Sequence, residues 1–340
     1  MTWMVTGGAG YIGAHVVRAL IDAQMDAVII DDLSSGFERF VPEGVPFVHA
    51  DILDKEALIH AMTTHGVTGV IHVAGFKYAG VSVQRPLHTY TQNVTATICL
   101  LEAMQECEID QVVFSSSAAV YGTPNVDLVT ENTAKEPLSP YGESKLIGEW
   151  ILRDQAVATG LRYTSLRYFN VVGSGDPAVF DTSPHNLFPL VFEALVAGKT
   201  PRINGTDYAT PDGTNVRDYV HVTDIAAAHV AAARLLESHE TIEPAYNLGS
   251  GDGLSVAEIM TTVAKVTEIA FTPEIADRRA GDPPRIVANG NLAARDLDWK
   301  MRHTAEEMVR SAWEARLRAE KGSAGKGSAQ TGSAGKGIAE

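Results

Sequence analysis

Apolar residues in the first half of the chain alternate between two spacings: short continuous runs, and longer stretches in which they recur every three or four positions. The runs Trp3–Thr6, Ala27–Ile30, Phe47–Ala50, Val70–Ala74 and Gln111–Phe114 are too short for helices and predict buried strands. Helical spacing predicts a helix opening near Gly13 and running to about Asp22, and others over Lys55–Thr64 and Leu87–Glu106. Strands that alternate with helices imply right-handed crossovers and a Rossmann-type, doubly wound parallel α/β sheet whose ligands sit at the C-terminal ends of its strands. The second half is less regular. Leu187–Ala197, Asp224–Leu236, Ser255–Thr267 and Thr304–Arg318 read as helices, while Tyr219–Val222 and Tyr246–Leu248 read as short strands that can return to the main sheet. The expected organisation is a nucleotide-binding domain over residues 1–170, to which 216–250 partly returns, and a smaller C-terminal α/β substrate domain over 171–320. Residues 321–340, which repeat Gly-Ser-Ala-Gly-Lys-Gly, cannot bury a core and predict a flexible low-complexity tail.

Composition narrows the classes of function. A formal net charge of -15 disfavours nucleic-acid binding, and no basic patch is interleaved with aromatics. It does not oppose an anionic small ligand, because a few local arginines reverse the field within one cleft. No apolar run is long enough to span a membrane, and the N-terminus enters a glycine loop without the basic and apolar segments of a signal peptide, so a soluble cytoplasmic protein is expected. Cys99 and Cys107 lie about 12 Å apart along one predicted helix, too far for a disulfide. The eleven histidines show no metal-ligand spacing.

Candidate chemistry begins at Gly7-Gly8-Ala9-Gly10-Tyr11-Ile12-Gly13, between the first strand and the first helix. Bare backbone there lets a pyrophosphate approach, and the helix dipole favours its charge. The next strand ends in Asp31-Asp32, whose carboxylates can accept hydrogen bonds from an adenosine ribose and would repel a 2'-phosphate, which points to NAD rather than NADP. Asp51-Ile52 ends the following strand as a candidate adenine contact, and Gly7, Asp31, Asp51, Ala74 and Lys77 collect on one sheet edge. Tyr141 and Lys145 are four residues apart, on one face of a helix. Ionising a tyrosine at pH 7 costs about 4 kcal/mol. A cation at about 4 Å offers roughly that much at an effective dielectric near 20, so Lys145 could make Tyr141 a general base. Ser117 leaves the fifth strand's C-terminal end and can complete a Ser, Tyr, Lys constellation.

The glycine loop, Asp31, Phe114-Ser-Ser-Ser-Ala-Ala-Val-Tyr-Gly122 and Tyr141-x-x-x-Lys145 resemble the extended short-chain dehydrogenase/reductases acting on nucleotide sugars. His72-Val-Ala-Gly-Phe-Lys77, Leu166-Arg-Tyr-Phe-Asn170 and the string from Asp207 to His221 narrow the resemblance to the UDP-glucose 4-epimerase family, over about residues 2 to 316. The resemblance implies tightly held NAD, a UDP-sugar substrate and a homodimer packed through helices around 88–106 and 140–158. It implies that Tyr141 moves the proton of the sugar 4-OH, that Ser117 hydrogen-bonds that oxygen and that Lys145 supports both. Gly75, Asn93 and Tyr168 would join the cofactor site, with Asn93 supporting the active-site loop. Lys77 would lie near cofactor and sugar diphosphate; Asn170 and Asn186 would contact substrate; Arg217 and Arg279 would clamp the diphosphate; Asp282 would hold the uridine ribose. Ala118-Ala119 stand where a 4,6-dehydratase carries an Asp-Glu pair, which disfavours that chemistry. Asn204 replaces an aromatic that the family places near the uracil, and Ile286 stands at a position gating N-acetylated sugars. Epimerisation of UDP-N-acetylhexosamines or UDP-uronic acids, and a non-catalytic sugar-nucleotide binder, remain the alternatives.

Overall fold

The computed structural model describes residues 1–278 and 282–329, with residues 322–329 described by their backbone alone. In chain order the Rossmann half comprises β1 (Thr2–Thr6), α1 (Tyr11–Asp22), β2 (Asp26–Asp31), β3 (Phe47–His49), α2 (Lys55–Thr64), β4 (Val67–His72), α3 (Ala79–Gln84), α4 (Pro86–Tyr90), α5 (Ala96–Glu106), β5 (Gln111–Ser115), α6 (Pro140–Thr159) and β6 (Arg162–Tyr168). Then follow β7 (Asn170–Val172), α7 (Leu187–Val196), β8 (Arg202–Asn204), β9 (Val216–Arg217), β10 (Tyr219–His221), α8 (Val222–Glu237), β11 (Ala245–Leu248), β12 (Leu254–Ser255), α9 (Val256–Thr267), β13 (Glu274–Ala276), β14 (Arg285–Ile286), α10 (Asn291–Asp296) and α11 (Ala305–Ala329).

The main sheet has the order β11-β6-β5-β4-β1-β2-β3, and each neighbouring pair is parallel. This is the doubly wound α/β fold expected from the alternation, extended by β11. Burial on both faces explains the continuous apolar runs. On one face Trp3, Val5, Val17 and Leu20 pack with Ile225, Ala228 and Ala232 of α8; on the other Met4, Val28 and Val70 pack with Leu58, Leu100 and Met104. Thus α8 and β11 return to the Rossmann core. The strand over 219–221 does not join the main sheet: β10 pairs in parallel with β7, and Asn170 N–H donates to Asp218 O at 2.9 Å at the start of that pairing. A smaller cluster of Phe188, Phe192, Ile259, Met260, Val263 and Met308 holds α7, α9 and α11 together.

Two elements depart from the sequence pattern. β6 lies inside the sheet although Thr164, Ser165 and Arg167 interrupt its apolar run; all three are buried. Arg167 forms a bidentate pair with Glu149 of α6, at 2.8 and 2.6 Å, and Glu149 also accepts from the Ser116 hydroxyl at 2.6 Å. A buried ion pair is tolerated when its remaining hydrogen-bonding capacity is satisfied in this way. The last helix runs to Ala329, past the Arg318 boundary and into the segment expected to be a flexible tail. Helix propagation adds a backbone hydrogen bond per residue once a helix is nucleated, so a segment without its own core can continue one. Residues 330–340 lie outside the described residues.

Candidate active site

The site is assembled along the C-terminal edge of the sheet. Gly7 leaves β1 at φ +70, and its carbonyl accepts from Gly10 N–H at 3.0 Å. A Cβ on Gly13 would stand 2.1 Å from the Gly7 oxygen, so helix and turn meet at a distance only glycine permits. The free N–H groups at the start of α1 therefore face a cavity of about 740 Å³, which Gly7, Gly10, Tyr11, Ile12 and Gly13 line. Asp31 lines it at the end of β2, with its carboxylate oriented by Ala9 N–H at 3.0 Å and Leu33 N–H at 2.8 Å. Burial pushes that carboxyl up, and the two N–H bonds pull it back. Asp32, Ile52, Ala74, Gly75 and Lys77 line the same cavity. Asp51 does not; it is exposed, and its carboxylate instead accepts Leu53 N–H at 2.9 Å, turning its own loop.

Helix α6 begins where the chemistry is expected. Ser139 caps it by accepting Gly142 N–H at 3.2 Å, Pro140 suits its first turn, and Gly160 closes it in the left-handed conformation. Tyr141 and Lys145 both line the cavity. Ser117 does not line it, but its hydroxyl hydrogen-bonds the Tyr141 phenol. Burial pushes the Tyr141 pKa up and that bond pulls it down, with a net rise.

The ammonium of Lys145 departs from the simple helix-face picture. Its Nζ donates to the Ser115 carbonyl at 2.8 Å and stands 4.9 Å from the centre of the Phe114 ring. A lysine side chain is long enough to reach the end of β5 from this helix, and here one of its N–H groups is taken up there. Burial lowers its pKa to about 8. The protein's own groups thus leave Tyr141 protonated, and the phenolate needs further positive charge beside it. For stability the sign is definite: between about pH 8 and 10 folded Lys145 is neutral while the unfolded lysine still holds its proton, so this group makes stability rise with pH. The expected slope approaches about 1.4 kcal/mol per pH unit. Urea unfolding of cofactor-stripped protein at several pH values checks this, and Lys145→Met should flatten the rise.

Asn93 sits on a π turn, Thr91–Thr95, between α4 and α5. It is buried away from the cavity and serves its loop: it accepts Phe76 N–H at 2.6 Å and donates to Phe76 O at 3.0 Å and to Ser144 Oγ at 2.8 Å. Tyr168, at the end of β6, lines the cavity, and burial raises its pKa.

From the second half, Asn170, Asn186 and Arg217 reach the cavity wall with Asp282. Arg217 is ion-paired with Asp282, whose other oxygen accepts from Asn215 at 2.7 Å; Arg217 also donates to Val216 O at 2.7 Å. Those bonds use two of its five N–H donors. Asn186 donates to Asp181 at 2.7 Å. Arg279 lies outside the described residues. Asn204 lines the cavity, whereas Ile286 is packed against Val120, Tyr121, Leu146 and Phe169 and does not. Tyr78, Arg85, Asp181, His185, Arg202 and Asn215 also line it without having been singled out in the sequence. They sit in loops or beside recognised motifs, and no spacing marks them.

Residues 3–249 match the NAD dependent epimerase/dehydratase family. The chain belongs to that family. Within it, the chain is 44% identical to a UDP-glucose 4-epimerase of Azospirillum brasilense over 330 residues, covering 95% of this chain and 94% of that one. A crystal structure of a UDP-glucose 4-epimerase from Stenotrophomonas maltophila, with bound NAD and formylated UDP-arabinopyranose, superposes with a TM-score of 0.90 at 36% identity, covering 95% of this chain and 99% of that one. One from Bifidobacterium longum, in complex with NAD+ and UDP, gives 0.87 at 34% identity, covering 95% and 100%. The glycine turn of this family member fits the cofactor on its own geometry: a Cβ on Gly7 would meet the Ala74 backbone at 2.9 Å and one on Gly13 the Gly7 oxygen at 2.1 Å, so bare backbone lines the cavity at the start of α1.

Proposed function

We propose that this protein is an NAD-dependent isomerase that interconverts UDP-glucose and UDP-galactose through a 4-keto sugar. The observation that carries the reading is one continuous cavity, lined by the glycine turn and Asp31, by Tyr141 and Lys145, and by Arg217 and Asp282. Gly7, Gly10, Tyr11, Ile12, Gly13, Asp31, Asp32, Ile52, Ala74, Gly75, Lys77 and Tyr168 would hold the cofactor. When bound there, NAD+ would supply reversible hydride transfer at C4 of the sugar and a positive charge that would favour the Tyr141 phenolate. Tyr141 takes the proton of the 4-hydroxyl and later returns it, so no net proton or redox change results. Ser117 accepts Ala119 N–H at 3.2 Å, and its hydroxyl, which bonds the Tyr141 phenol in the free protein, would turn its hydrogen to the reacting oxygen when a sugar is bound. Lys145 fixes the end of β5 against α6 and presents its remaining N–H groups to the ribose and phenol. Lys77, Asn170, Asn186 and Arg217 would bind the sugar diphosphate, and Asp282 the uridine ribose. Guanidinium donors suit phosphate oxygens.

The test is incubation of purified protein with UDP-galactose, without added NAD, followed by NMR. Appearance of UDP-glucose is expected, and its absence would overturn the assignment. We further infer a homodimer acting in galactose metabolism in the cytoplasm. Val83, Leu87, Ile98, Trp150 and Val157, on α3 to α6, are large apolar side chains left exposed, with Leu87 and Val157 at 80% and 85%. Exposed apolar side chains of this size on these helices support a partner surface. A monomer by light scattering would contradict the dimer. No helix among the described residues is long and apolar enough to cross a membrane.

A further inference from the structure

We propose that Tyr78 and His185 form a roof over the sugar end of the cavity and limit the bulk that the sugar ring can carry. The inference rests on the UDP-sugar reading above and names two specificity-determining residues for it. Tyr78 belongs to the loop that Asn93 ties to α6 through Phe76 and Ser144, and the Ser144 hydroxyl donates to Tyr141 O at 2.7 Å. One turn further, Ser82 N–H donates to Tyr78 O at 2.8 Å, and the Ser82 hydroxyl accepts Tyr141 N–H at 3.1 Å. Tyr78 is thereby held in register with the catalytic tyrosine rather than with the nucleotide ends. His185 reaches the cavity from the segment before α7, beside Asn186.

The two rings meet edge to face, with centroids 5.1 Å apart and planes at 76°. Phe76 backs Tyr78 at 5.4 Å and itself leans on His88 at 5.0 Å. Tyr78 and His185 both line the cavity. Two rings in contact across a cleft leave no gap between them, so a substituent reaching this wall must displace one ring. Ile286 packs against the separate cluster of Val120, Tyr121, Leu146 and Phe169 and is not among the cavity-lining residues.

Calorimetric titration of the protein with UDP, UDP-galactose and UDP-N-acetylgalactosamine tests the roof in Tyr78→Ala and His185→Ala. In Tyr78→Ala the affinity for the N-acetylated ligand relative to UDP-galactose is expected to rise about tenfold, the scale on which a pocket discriminates one misfit group, while UDP affinity stays within about twofold. His185→Ala is expected to move the ratio the same way by a smaller factor. An unchanged ratio in both variants overturns the proposal, as does a loss of UDP affinity equal to the change for the sugars. Because binding is read rather than turnover, a protein that binds these ligands without interconverting them fails the epimerase reading alone. One that binds none of the three fails both.

Discussion

Replacing Tyr141 by phenylalanine is expected to lower turnover of UDP-galactose by about 10²- to 10⁴-fold, the contribution of a positioned general base, while bound NAD is retained. The substitution removes one hydroxyl and keeps the ring. Tyr141 holds its helix through backbone bonds, Tyr141 N–H to Ser82 and Tyr141 O to Ser144, and phenylalanine leaves both in place. The loss should fall on kcat, because the hydroxyl works on the proton that leaves O4 and on little else. Steady-state rates, paired with absorbance of the cofactor released on denaturation, separate the two effects. Activity within about tenfold of the unsubstituted protein would remove Tyr141 from the role of base.

A second large effect is expected at the other end of the cavity. Gly13→Ala places a methyl group 2.1 Å from the Gly7 oxygen, 2.8 Å from the Gly7 carbonyl carbon and 2.9 Å from the Gly8 Cα. All three are backbone atoms, so no side chain can yield. Helix α1 must withdraw from the turn or the turn must open, and either shift moves the N–H groups proposed to bind the pyrophosphate. Hydrogen bonds to phosphate oxygens weaken steeply once the donors leave their range of about 2.7–3.2 Å, and purified Gly13→Ala should accordingly carry little NAD. Gly80→Ala is the matched control, since a Cβ there meets nothing within 4 Å and its φ is ordinary. Equal NAD content in both variants would mean that this turn does not hold the cofactor.

These two residues show how unevenly the site could be read. The Gly7–Gly13 turn was legible because glycine spacing, a strand before and a helix after are local properties of the chain. Tyr141 and Lys145 were legible as a pair through the helix period, and the cap by Ser139 and Pro140 marks where that helix starts. The behaviour of the pair was not. Lys145 turns to the Ser115 carbonyl, and burial leaves the phenol above its usual pKa; both depend on where β5 ends, thirty residues earlier in the chain.

The sequence by itself determined the alternation of strands and helices, the doubly wound sheet, the dinucleotide turn and the Ser, Tyr, Lys trio, since each rests on period, spacing or residue type within a short window. Tertiary structure alone decided the rest. β6 carries Thr164, Ser165 and Arg167 through the interior because Glu149, eighteen residues away, satisfies the guanidinium. Strand β10 pairs with β7 rather than the main sheet, Asp51 turns away from the cavity, and Tyr78 meets His185 across it. Each of these outcomes depends on which groups the fold brings together from distant parts of the chain, and no local pattern encodes such a meeting.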